Sequence, residues 1–164
     1  FAYRVLTFIH RFYESKVPTP GEFGESDEEI AERAKRAPEI VGSLIEEFKL
    51  KAGLEEILEL ARACNRYFNL KEPWKEVKER PESAGTTMYV SANLVRTLSI
   101  LLHPYTPGIA EKMWSMLRLS RSEISWESAG ELVLEPGHEL GEPQIVAPRI
   151  TDEQLRTLRS RLAR

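Results

Sequence analysis

The sequence predicts an all-α fold, an antiparallel helical bundle with a small irregular or β-like appendage and a final helix at its C-terminal end. Three observations lead there. Apolar residues recur at three- and four-residue spacing through most of residues 1–119. Proline- and glycine-containing breaks divide those stripes into helix-length segments with short connections. Residues 123–142 then change composition, carrying six glutamates (Glu123, Glu127, Glu131, Glu135, Glu139, Glu142) and no lysine or arginine. The chain therefore divides into a bundle, residues 1–119, and an appendage, residues 120–164. So acidic and turn-rich an appendage is too thin for a core of its own. It is expected to lie on the bundle or on another part of a longer parent protein.

The first element is already periodic at residue 1, with Phe1, Val5, Phe8, Ile9 and Phe12 on one stripe and Arg4 and Arg11 sharing a face beside it. No Ser, Thr, Asp or Asn caps it, so the chain is expected to be cut from within a longer one. Pro18-Thr19-Pro20-Gly21 and Gly24 form a loop. Ser26 followed by Glu29 reads as a capping box, which starts the second helix near Asp27. Its stripe runs through Ile30, Ala34, Ala37, Val41, Leu44, Ile45 and Phe48, with Pro38 expected to kink or restart it. A third helix, from about Lys51 to Phe68, uses Leu54, Ile57, Leu58, Ala61 and Cys64. Gly53 either ends the preceding helix or weakens the start of this one.

Lys71-Glu72-Pro73-Trp74-Lys75 breaks the pattern and leads into a short helix ending near Glu79, closed by Pro81. The stretch Thr86–Leu102 carries the longest apolar run and is expected to be the most buried helix. Pro104 and Pro107 stop it and start another, Gly108–Leu117, with Ile109, Met113, Trp114 and Leu117 inward. In the appendage, Glu131–Leu134 and Gln144–Ala147 read as short β-like pieces around the Pro136-Gly137 turn. Thr151 caps a last helix, Asp152–Ala163, with Leu155, Leu158 and Leu162 on one face and Arg156, Arg159 and Arg161 elsewhere; Arg164 follows.

Composition narrows the function classes. A chain of 164 residues with 41% hydrophobic and 30% charged side chains suits one main globular domain. No run approaches the length of a membrane span, and no export signal opens the chain. The single cysteine excludes an internal disulfide and a cysteine-rich zinc site. A net charge of −3 argues against a protein coated in positive charge, but not against a local basic site. Arginine outnumbers lysine 15 to 8, and its planar fork suits phosphates and base edges.

Catalytic patterns are absent. There is no glycine-rich phosphate loop, no paired metal-ligand spacing and no nucleophile elbow. His10, His103 and His138 stand apart without a second ligand at helical spacing, and read as structural or solvated. Cys64 lies on an apolar stripe, as a buried and inert thiol would. The glutamates decorate helix surfaces, and no two form an acid–base pair.

Trp74 is the most informative residue. It follows a proline among charged residues (KEPWKEVKER) and falls at a helix junction rather than on a stripe. The ring either packs over the end of the bundle or stands out as a stacking platform for an unpaired base. Arg62, Arg66, Lys71, Lys75, Lys78 and Arg80 cluster near it in sequence, enough for a local phosphate-binding patch. Recognition of single-stranded RNA needs both ingredients, stacking and positive charge.

These residues carry a resemblance. LEEILELARACNRYFNLKEPWKEVKE, from Leu54, is similar to the anticodon-binding helical bundle of class I aminoacyl-tRNA synthetases, and NRYF followed by EPWK most resembles the methionyl-tRNA synthetase family. FAYRVLTFIHRF resembles that family's first bundle helix, LVRTLSILLHPYTPGIAEKMW its two-helix segment with a proline break, and SWESAGELVLEPGHELGEPQIVAPRI the C-terminal extension of its archaeal-type members. Nearly the whole chain is covered.

The resemblance implies recognition of a CAU anticodon. In that family an arginine and an asparagine of the first helix read the wobble cytosine, and a tryptophan after the proline stacks on an anticodon base. Carried over, Arg4 is the cytosine-reading arginine and Trp74 the stacking residue. The asparagine would precede Phe1. Arg11, Arg66 and Lys75 are expected RNA contacts, and Asn65 a structural one within its helix. The resemblance also implies a cytoplasmic protein whose partners are the tRNA anticodon loop and, in cis, a catalytic portion holding ATP, methionine and any zinc. No cofactor or metal is expected in this chain, which would not aminoacylate by itself. Two other readings fit the residues: the corresponding bundle of a leucine, isoleucine, valine or cysteine enzyme, and a helical protein-interaction module without RNA.

Overall fold

A computed structural model of the protein describes residues 1–147 and 151–162. Among the described residues seven α-helices follow one another: α1 (Ala2–Phe12), α2 (Glu25–Glu46), α3 (Leu50–Lys71), α4 (Pro73–Glu79), α5 (Pro81–Leu102), α6 (Pro107–Leu117) and α7 (Asp152–Leu162). α5 is the axis of the bundle, packed on by α1, α2, α3, α4 and α6. Its core residues Met88, Val90, Leu94, Val95 and Leu101 join Val5, Leu6 and Ile9 of α1, Val41 of α2, Ile57 and Cys64 of α3, and Met113 and Leu117 of α6. A helix enclosed on every side reads as apolar through most of its length, which is why Thr86–Leu102 stood out.

Helix ends follow local chemistry, with several departures from the sequence reading. α2 begins at Glu25, not at a Ser26–Glu29 box. The Asp27 carboxylate accepts the Gly24 N–H at 2.9 Å, so the reciprocal half of the box comes two residues earlier. The same buried carboxylate accepts Tyr67 Oη at 2.6 Å and Lys71 Nζ at 2.9 Å, tying the start of α2 to the end of α3. Burial, followed by the Asp27 hydrogen bond, pushes the Tyr67 phenol well above its ordinary range.

Pro38 neither breaks nor restarts α2, which runs through it. The helical bond to the Ala34 carbonyl is lost there, and the appendage covers this stretch. Trp126 Nε1 donates to the Pro38 carbonyl at 3.2 Å. Gly130 lies so close that a Cβ on it would sit 2.6 Å from Ala34 O and 2.7 Å from Lys35 Cα.

Phe48 does not continue the stripe. α2 has ended, and Phe48 takes a left-handed φ of 59° with 89% of its surface exposed. Leu58 is likewise exposed on α3 and Phe12 on α1. Gly53 lies inside α3 where Tyr105 crosses it: a Cβ there would come 2.2 Å from Tyr105 Oη. Pro81 opens α5 besides closing α4, and Pro107 opens α6, both at a first-turn position whose N–H has no helical partner.

The β-like pieces at 131–134 and 144–147 are not strands. The described appendage is extended and irregular, with one isolated bridge, Lys16 to Glu139. Part of its backbone bonds polar side chains on one face of α5, at 89, 93 and 96, and residues 137–141 bond the main chain of Ser15, Val17 and Met116. Tyr89 Oη donates to Leu132 O at 3.1 Å, and Asn93 Oδ1 accepts Leu134 N–H at 2.8 Å. Arg96, 1% exposed, donates to Glu123 O, Ser128 O and Ser128 Oγ, each at 2.8 Å. α7 is capped by Thr151, whose Oγ1 accepts Gln154 N–H at 3.3 Å while Gln154 Oε1 accepts Thr151 N–H at 2.9 Å. The expected contacts of Leu158, Arg161, Leu162, Ala163 and Arg164 lie outside the described side chains, and Leu155 is exposed.

Candidate nucleic-acid interface

The end of α3, a one-residue turn and the start of α4 bring the candidate residues together. Glu72 adopts a left-handed conformation (φ 41°, ψ 53°) that closes α3, and Pro73 starts α4 at once with its φ already helical. Pro73 is buried, so Trp74 is displayed on a short rigid element rather than on a loose loop.

Phe68, buried on α3, is the shared floor. The Trp74 ring lies 6.0 Å from it at a 46° tilt and is 42% exposed. The Arg4 guanidinium carbon lies 4.8 Å from the Phe68 ring centre, and Phe1 meets the same ring edge-on at 6.3 Å. Arg4 Nη2 donates to Asn69 Oδ1 at 2.9 Å. Arg4 and Trp74, 70 positions apart in sequence, thus flank one aromatic ring. The arrangement joins a fork of N–H donors, held by a cation–π contact and one hydrogen bond, to a half-exposed indole.

The Trp74 indole packs on the bundle end through Phe68 and leaves part of its surface open to solvent. Phe68 and Asn69 were not singled out in the sequence. The available signal was their position, one and two residues beyond the Asn65-Arg66-Tyr67 run and immediately before the break that sets Trp74.

The remaining candidates are placed differently. Arg11 stands two turns along α1, about 10 Å from Arg4 by helical rise, with its guanidinium 5.2 Å from the Phe12 ring and not beside Phe68. Arg66 is exposed on α3 and lines a groove between α2 and α3. Lys75 is exposed and paired with Glu72 at 2.9 Å, whose hydrogen bond and charge hold its ammonium above the usual range. Asn65 Nδ2 donates to Ala61 O at 3.1 Å within its own helix.

The basic run around Trp74 is thus less of an open patch than its sequence suggests. Arg62 pairs with Glu59, Lys71 with Asp27, Lys75 with Glu72 and Arg80 with Glu76. The exposed Arg62–Glu59 and Lys75–Glu72 pairs are worth little, whereas Lys71 and Arg80 are held by the buried carboxylates of Asp27 and Glu76.

Among the described residues no three His, Cys, Asp or Glu side chains form a metal-binding group. Cys64 is buried, and desolvation pushes its thiol up to about 12. Each histidine has a local partner: His10 Nδ1 with Ser15 Oγ at 2.6 Å, His103 against the Trp114 ring at 4.7 Å, and His138 Nε2 with Leu117 O at 2.6 Å. No helix among the described residues is long and apolar enough to cross a membrane.

Residues 17–164 match the family model described as the anticodon binding domain of methionyl tRNA ligase. The methionine–tRNA ligase of Sulfolobus acidocaldarius is 42% identical over 145 residues, which are 87% of this chain and 25% of that protein. The methionine–tRNA ligase of Pyrococcus furiosus is 38% identical over 155 residues, 94% of this chain and 21% of that protein. This chain thus spans about a quarter or less of the length of these relatives. The crystal structure of apo Mycobacterium tuberculosis methionyl-tRNA synthetase superposes with a TM-score of 0.86 at 28% identity, over 92% of this chain and 31% of that one. With the helical bundle, the archaeal relatives and the family match in agreement, the chain belongs to the family of methionyl-tRNA ligase anticodon-binding domains.

Proposed function

We propose that this chain recognises the CAU anticodon loop of a tRNA, as the anticodon-binding part of a longer methionine–tRNA ligase that joins methionine to tRNA with ATP. The observation that carries this reading is the convergence of Arg4 and Trp74 on Phe68. An unpaired base stacks on the free surface of the indole, a contact worth about 1–3 kcal/mol. The Arg4 fork donates to the acceptor edge of the wobble cytosine, O2 and N3. Asn69 orients that fork from below. The exposed Arg11, Arg66 and Lys75 supply attraction to the phosphate backbone. ATP, methionine and any zinc belong to the catalytic portion of the longer protein, with which this chain acts in cis in the cytoplasm.

The test is a titration of the 164-residue chain with a CAU anticodon stem-loop and with loops changed at the first anticodon base. Salt-dependent binding that prefers cytosine, and that weakens in Arg4→Ala, is expected. Equal binding to every loop would remove the methionine assignment, and no binding at low salt would favour a protein-interaction module.

A further inference from the structure

The groove between the first half of α2 and the second half of α3 has a volume of about 560 Å³ and begins where the Arg4 site ends, since Asn69 lines it while bonding Arg4. Its wall is mixed in a particular way. Leu70 supplies the open apolar surface, above the nearly buried Ile30 and Ala63, and Arg33 and Arg66 stand on opposite helices. Leu70 is 72% exposed, an apolar side chain left open beside two cations.

These two arginines differ from their neighbours. Arg36, Arg62, Lys75 and Arg80 each hold a carboxylate. Arg33 and Arg66 are exposed and make no ion pair among the described residues. Glu29 lines the same groove one turn before Arg33, at a spacing that commonly pairs, yet the two form no salt bridge. The groove therefore offers two uncommitted guanidinium groups, a carboxylate and an apolar surface, in a space of the size that takes a small ligand.

We propose that the α2–α3 groove is a second nucleotide subsite, holding the unstacked RNA nucleotide adjacent to the base on Trp74, with its phosphate between Arg33 and Arg66. This rests on the reading of Arg4 and Trp74 as an RNA-binding site and extends it along the strand. The base lies on Leu70. Glu29 accepts from an exocyclic amino group, so the subsite favours adenine, cytosine or guanine over uracil, which has none.

The test measures binding of the CAU stem-loop to the 164-residue chain across a range of salt concentrations. The variants are Arg33→Ala, Arg66→Ala, Glu29→Gln, Trp74→Ala and, as a control for charge alone, Lys112→Ala on α6. The arginines are exposed, so their variants are expected to unfold with the wild-type midpoint. Each arginine variant should bind about tenfold more weakly at low salt, with the salt dependence flatter by about 0.7. Lys112→Ala should change affinity less than twofold, and Glu29→Gln should narrow the preference at the adjacent position. If the arginine variants bind like wild type while Trp74→Ala binds weakly, the groove assignment is overturned and the Trp74 site stands. If Lys112→Ala costs as much as the arginine variants, the effect is general electrostatics and the groove assignment is again overturned. If Trp74→Ala has no effect, the underlying reading of the Trp74 site fails instead.

Discussion

Replacing Arg96 with leucine should release the appendage from the bundle. Arg96 is 1% exposed, and its fork donates three hydrogen bonds of 2.8 Å to the segment at residues 123–128. Burial lowers its pKa from the ordinary guanidinium value, while Glu123 and Glu131 oppose that shift. The variant leaves the Glu123 and Ser128 carbonyls and the Ser128 hydroxyl without this donor. At about 1–3 kcal/mol for each group left unsatisfied, the gross loss is several kcal/mol. Relief of the arginine's own desolvation offsets part of it. A net destabilisation of about 3 kcal/mol is expected.

Urea unfolding reads the stability, and limited proteolysis under native conditions reads where it is lost. New cleavage between residues 119 and 134 should precede global unfolding. Arg96→Lys should recover little, because an ammonium cannot span two carbonyls and a hydroxyl with the geometry of a fork. A loss below about 1 kcal/mol with no new cleavage would refute the idea that α5 holds the appendage through Arg96.

Two further outcomes follow from packing and burial. Gly130→Ala puts a Cβ against main-chain atoms of α2 that have no room to move, and should cost about 1–3 kcal/mol by chemical denaturation. Cys64 is kept neutral by burial, with its pKa raised to about 12. Its contribution is therefore fully present below pH 9 and fades as the pH rises toward 12, at up to about 1.4 kcal/mol per pH unit. Tyr67, also raised by burial and Asp27, works in the same direction at higher pH. Unfolding free energy measured from pH 8 to 11 should fall less steeply in Cys64→Ala than in wild type, and equal slopes would contradict the assignment.

Much of the bundle was legible because a 3.6-residue apolar period and proline punctuation are local signals. The all-round burial of α5 and the break before Trp74 both follow from them. Phe48 shows the limit of that reasoning: periodicity continues through it, but α2 has ended and the residue turns outward. The appendage reads as β-like because short apolar runs, Leu132–Leu134 and Ile145–Ala147, flank the Pro136-Gly137 turn. Their backbone partners are side chains at Tyr89, Asn93 and Arg96, far away in sequence.

At the candidate site, Arg4 and Trp74 are legible from the residues and the family resemblance. Their meeting on Phe68, and the hydrogen bond from Arg4 to Asn69, depend on how α1 crosses the end of α3. The basic run was legible as composition. Its neutralisation by Glu59, Glu72, Glu76 and Asp27 became visible only with side-chain positions.

The most direct test of the Arg4–Phe68–Trp74 site is the dissociation constant of the CAU stem-loop for Trp74→Ala, measured over a salt series beside wild type. Stacking on a half-exposed indole is neutral, so affinity should fall by about 1–3 kcal/mol, or roughly 5- to 150-fold, with the salt slope unchanged. Wild-type affinity in Trp74→Ala, or a loss that vanishes as salt is raised, would contradict the assignment of Trp74 as the surface on which an anticodon base is held.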